Sequence, residues 1–245
     1  MKLLKINIPK SKLDTIPEIE RVFFIQLMQF LNELNILQKC VIVSNNELES
    51  ITTIEKGGQI SQAHFFIRTL AGKLYEGWKM IGKNFFETQL SSEYENLLSQ
   101  KGKESLSELI GYFNDGNNKV RLIRNKFAFH YDKEKIEEEI DKIPQEKLLE
   151  MHISKHRVNC LYSISDTIVN WSILNSINSS NSQQAMDILI GDIAIKVSRW
   201  FREFCGDCVC IIAKKLELNS TEVEIPEPPS IDDVKLPYFV KRAEK

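Results

Sequence analysis

Between Ile16 and Leu37 the apolar residues Ile19, Val22, Phe23, Leu27, Phe30, Leu31 and Leu34 return every three or four positions. That spacing constrains the fold more than any other feature, because only a helix brings such positions onto one face. Pro17 stands where a first helical turn tolerates it. A second long helix is expected over Gln59–Phe86, after a break at Gly57-Gly58. Phe65, Phe66, Ile67, Leu70, Leu74, Trp78, Met80 and Ile81 surround its axis, so it is expected at the centre, packed on several sides. Ten Gly and seven Pro in 245 residues are too few for an all-β fold with many tight turns. The expected class is therefore all-α, a helical bundle with long antiparallel helices.

Shorter helices are expected at about 91–99 and 104–113, the latter ended by Asn114-Asp115-Gly116-Asn117-Asn118. Lys119–Tyr131 reads as a further helix. Lys133 to Lys142 mixes both signs of charge and reads as a solvated face. Near 150–165, Met151, Ile153, Val158, Cys160, Tyr162 and Ile164 alternate in a way that suggests a small two-stranded β-hairpin. A helix capped by Ser165 or Asp166 follows, then a polar loop over 175–182. Residues 182–218 read as one long helix or two broken ones. From Asn219 onward Pro226, Pro228, Pro229 and Pro237 predict an extended tail without regular structure. The organisation expected is a helical core over 15–140, a hairpin and long helices over 145–218, and a Pro-rich tail over 219–245.

A net charge of −2 excludes recognition of nucleic acid by the field of the whole molecule, leaving only local patches. Lys2, Lys5, Lys10 and Lys12 are not followed by the apolar run of a signal peptide. No stretch approaches the ~18 apolar residues that span a bilayer. Five cysteines, an odd number, fit a reducing compartment better than a disulfide framework. A soluble cytoplasmic protein is expected.

One segment carries residue types that suggest chemistry. Val120-Arg121-Leu122-Ile123-Arg124-Asn125-Lys126-Phe127-Ala128-Phe129-His130-Tyr131-Asp132 groups arginine, asparagine and histidine within an otherwise apolar helix. Burying such groups is unfavourable unless each finds a partner. Together they suit phosphodiester cleavage. Histidine moves a proton near neutral pH, and a guanidinium holds phosphate through parallel hydrogen bonds while an amide orients either group. On an ideal helix Arg124 and His130 flank one apolar stripe, about 60° to either side and roughly 9 Å apart along the axis. One ideal helix does not bring them onto a single phosphate. Two copies across a symmetric dimer, or a distorted helix, would do so.

Arg124-Asn125, four residues and then His130 resembles the R-polar-x4–6-H signature of the HEPN superfamily, the higher eukaryote and prokaryote nucleotide-binding domains. Within it, the run from Arg124 to Asp132 is most similar to uncharacterised bacterial proteins of the abortive-infection group. The resemblance spans about 15–140. It implies an α-helical bundle that dimerises through the motif helices. For active members it also implies metal-independent endoribonuclease activity in toxin–antitoxin and anti-phage systems. Carried over by position, Arg124 would bind phosphate, Asn125 would be its polar companion and His130 the acid–base group. Glu76 is the candidate for the upstream acidic residue, with Tyr131 and Asp132 as supporting residues. The implied partners are a second copy of the chain, RNA and an antitoxin protein, with no cofactor, metal or membrane.

Structural readings stand beside these. His130 is placed to cap a helix C-terminus, and Arg124 to pair with Glu76 or Asp132, which would make the chain a non-catalytic helical binding or dimerisation module. Cys205, Cys208 and Cys210 lie at helical spacing among apolar residues, without the second ligand pair of a zinc site, and are read as core. His152 and His156 lie in a strand or loop, where that spacing does not converge on a metal. His64 is read as a satisfied core or surface residue. Phe23, Phe24, Phe65, Phe66, Phe85 and Phe86 are read as core material.

Overall fold

The computed structural model describes residues 1–46, 52–125, 133–178 and 180–241. The chain is all-α in class, with one two-stranded sheet among the described residues. Its order is β1 (Lys2–Ile6), α1 (Lys10–Leu13), α2 (Glu18–Asn45), α3 (Thr53–Ile81), α4 (Leu90–Tyr94), α5 (Gln100–Asn114), α6 (Lys119–Ile123), α7 (Lys133–Asp141), α8 (Ser163–Ile177), α9 (Ser182–Leu189), α10 (Ser198–Lys215) and β2 (Ser220–Glu224). Two compact units emerge, each assembled from three stretches. The first comprises Met1–Ile36, Lys73–Asn118 and Lys196–Ser230; the second comprises Leu37–Gly72, Lys119–Ile195 and Ile231–Lys245. Among the described residues, no helix is long and apolar enough to cross a membrane.

In the first unit α2 and α3 run antiparallel. Glu33 pairs with Lys73 at 2.7 Å, Phe30 lies against Gly77, and Asn84 donates to Gln26 at 2.8 Å, so one number rises as the other falls. A Cβ on Gly77 would come within 2.3 Å of the Phe30 ring, so glycine there sets how closely the helices approach. α3 ends in a π-helical turn, Gly82–Phe86, which carries Phe85 into the core. α5 and α10 also pack antiparallel: Trp200 meets Tyr112 in edge-to-face contact, while Asp207 lies beside Gly102 and accepts the Ser99 backbone N–H at 2.8 Å. Cys205 and Cys208 are fully buried in α10, where burial raises both thiol pKa values, whereas Cys210 is exposed. The buried Glu20 carboxylate accepts from Lys215 at 2.7 Å and from the Tyr94 hydroxyl.

Several expectations need correction. Gly57-Gly58 does not break the chain, because α3 begins at Thr53 and contains both glycines. A capping box explains this start. The Thr52 hydroxyl accepts the Glu55 N–H at 3.2 Å while the Glu55 carboxylate accepts the Thr52 N–H at 2.8 Å. The Thr52 N–H, and then the Thr52 hydroxyl, which donates to the same carboxylate oxygen at 2.8 Å, hold the Glu55 carboxyl below its usual pKa. Gly58 instead makes room for Tyr238, whose ring lies 2.6 Å from where a Cβ would stand. Nor is everything after Asn219 irregular. Residues 220–224 pair antiparallel with Lys2–Ile6, with Lys2 opposite Glu224 and Ile6 opposite Ser220. The prolines that suggested otherwise begin at Pro226, beyond the last paired residue. The hairpin expected near 150–165 reduces to a single bridge between His152 and Leu161. Phe65 is 54% exposed and is not core. Residues 182–218 form α9, a π-helical stretch Ile190–Val197, and α10.

The second unit buries His64, which is only 5% exposed. Desolvation, and then the neighbouring charge of Arg68, lower its pKa from 6.5 to about 4. Its native pKa thus lies below its unfolded one. The neutral imidazole contributes full stability above about pH 6.5, and this is lost as pH falls through about 4. The shift corresponds to about 3 kcal/mol. Chemical denaturation at pH 7 and pH 4 should therefore show His64→Leu losing about 3 kcal/mol less than wild type over that interval. Equal losses would remove His64 as a source of acid sensitivity.

Candidate functional site

The motif helix starts in the second unit as α6. Asn118, buried just before it, donates its side-chain amide to the Asp115 carbonyl at 2.7 Å and ends the preceding turn. Val120 and Ile123 are fully buried and fix the face that α6 turns inward. Lys119 forms a half-buried ion pair with Asp192 at 2.6 Å, tying the first residue of α6 to the π-helical stretch Ile190–Val197. Neither partner was singled out by the sequence. They are 73 residues apart, and neither belongs to a recognisable motif.

After Ile123 the helix changes character. Arg124 and Asn125 are π-helical. π-Helical residues recur at functional positions in helices. Arg124 is half-buried and Asn125 exposed, and the guanidinium donates to the Asn125 side-chain oxygen at 3.2 Å. The two are thus brought together as a polar pair with a solvent-facing member.

His130, Tyr131 and Asp132 lie outside the described residues. Glu76 belongs to the first unit, on α3. Its side chain is 54% exposed and lies 3.9 Å from Lys79. It shares a shallow cleft of about 160 Å³ with Gln26, Glu33 and Lys73.

Two further histidines, His152 and His156, lie outside the motif sequence. His152 is half-buried in the bridge to Leu161, and its imidazole stands 3.8 Å from the Glu150 carboxylate. His156 is exposed, just before a 3₁₀ turn at Arg157–Asn159. No protein-family model matches this chain, and neither does any curated protein or solved structure.

Proposed function

We propose that this protein is a metal-independent endoribonuclease of HEPN type, acting as a homodimer whose two motif helices complete the site. The observation that carries this reading is the hydrogen-bonded Arg124–Asn125 pair at a π-helical turn, the first half of the motif. In the proposed reaction His130 takes the proton of a ribose 2′-hydroxyl. The freed oxygen attacks the adjacent phosphorus as the bond to the 5′-oxygen breaks, and a protonated group returns a proton to that leaving oxygen. Arg124 offsets the charge that builds on the phosphoryl oxygens, and Asn125 holds the guanidinium in position. A defence or toxin role, with an antitoxin partner, follows from the same resemblance.

A helical binding module is the second reading. It is favoured by the net charge of −2, which supplies no general attraction for phosphate. The test is incubation of total cellular RNA with purified protein in excess EDTA, wild type beside His130→Ala, with folding checked by circular dichroism. Cleavage by wild type alone is expected. A folded His130→Ala protein that cleaves as well as wild type would sink the nuclease reading, and silence from both would favour the module.

A further inference from the structure

The second unit carries a cleft of about 610 Å³ lined by Lys155, His156, Arg157, Val158, Val240 and Lys241, none of them a residue of the motif. Three of these residues are cationic, one is a histidine and none is acidic. In a chain with two more acidic than basic residues, that sorting is notable (34 against 32). Like charges gathered on facing walls repel one another, and a cleft lined by one sign of charge concentrates its field on whatever enters.

The two basic walls come from distant parts of the sequence and are clamped together. Asn159, 81 residues before Val240, donates its amide to the Val240 carbonyl at 2.7 Å and accepts the Val240 N–H at 3.0 Å. The Tyr238 hydroxyl donates to the Cys160 carbonyl at 2.8 Å, and the missing side chain of Gly58 admits the Tyr238 ring. Opposite, two backbone hydrogen bonds between His152 and Leu161, at 2.8 and 2.9 Å, close the loop that presents Lys155 to Val158. Five hydrogen bonds and a glycine notch thus hold Lys241 across from Lys155 and Arg157.

We infer that this cleft binds the phosphodiester backbone of single-stranded RNA, anchoring the substrate through residues other than those of the motif; the assignment rests on the ribonuclease reading above. The volume falls in the range of pockets that enclose small ligands, about 300–1,000 Å³, which suits a short unpaired stretch better than the face of a duplex. Lys155 and Lys241 offer point charges, while the Arg157 guanidinium offers both a phosphate fork and a plane on which a base stacks. Val158, 74% exposed, and Val240, 48% exposed, add apolar edges for ribose and base.

The experiment uses the full chain carrying His130→Ala, so that binding is read without cleavage. A fluorescently labelled short oligouridylate is the probe, titrated by anisotropy at several salt concentrations. Adding Lys155→Ala, Arg157→Ala and Lys241→Ala together should weaken binding on the order of 10-fold or more. It should also flatten the slope of log affinity against log salt by about 2, since each neutralised phosphate on a single strand contributes about 0.7. All three side chains are exposed, so the variant should fold; Lys241→Ala alone carries the same test with a slope change of about 0.7. An unchanged slope and affinity overturn the assignment. So does displacement of the oligonucleotide by millimolar inorganic phosphate, which would make this a free-phosphate site. Binding to phosphatidylserine vesicles that the triple variant loses, with RNA affinity intact, would also overturn it. RNA cleaved by wild type with no cleft dependence would sink the cleft and leave the nuclease. RNA held in the cleft but never cleaved would do the reverse.

Discussion

Arg124→Lys is expected to lower RNA cleavage by about 10²–10³-fold while leaving the fold intact. Lysine keeps the charge but loses the planar fork, and the fork is what accepts orientation from the Asn125 oxygen 3.2 Å away. An ammonium in the same place is a mobile point charge on a flexible stem, which neutralises phosphate without fixing its geometry. The loss should therefore appear in the rate at saturating RNA more than in substrate affinity. Arg124 is half-buried beside the buried Ile123, so the conservative change is a cleaner probe than alanine, which would also remove packing of the aliphatic stem. Single-turnover cleavage of a defined RNA by both proteins is the measurement. A lysine variant with an undiminished rate would show that charge alone is required, and the amide-oriented fork would lose its role.

Phe85→Ala should destabilise the protein by about 3–5 kcal/mol. Phe85 is fully buried, and its ring centroid lies 5.8 Å from Phe23, 5.4 Å from Phe86, 6.5 Å from Tyr94 and 5.2 Å from Phe204. Three of these are edge-to-face pairs, each contributing about 0.5–1.5 kcal/mol beyond the apolar area it buries. The site cannot easily collapse, because the ring is delivered by a π-helical turn whose neighbours come from three different helices. Domains of ordinary stability have about 5–15 kcal/mol in total, so the variant should approach its unfolding threshold. Urea denaturation with an unchanged slope and a markedly lower midpoint is the expected result. A loss below about 1 kcal/mol would mean that the aromatic cluster does not hold the first unit together.

The long helices were legible because burial imposes period on sequence: Phe23, Leu27, Phe30 and Leu34 are all buried in α2. Their limits were less so. At the start of α3 the Gly57-Gly58 pair outweighed Thr52 and Glu55, although the reciprocal cap decides where the helix begins. The π-helical stretches left no mark, since an apolar pattern of period 3.6 tolerates one inserted residue. β1 and β2 each expose nearly every residue, so neither shows the alternation that reveals a half-buried strand.

The candidate site divides in the same way. Arg124 and Asn125 are adjacent and were legible as a pair. The Lys119–Asp192 ion pair and the Lys241 wall of the basic cleft depend on contacts across long stretches of chain, which single-sequence periodicity does not encode.

The interleaving of the two units also bears on synthesis. The first needs residues up to Ser230, and the second needs residues beyond Ile231, before either has all its parts. A ribosome translating this chain therefore releases no finished half along the way.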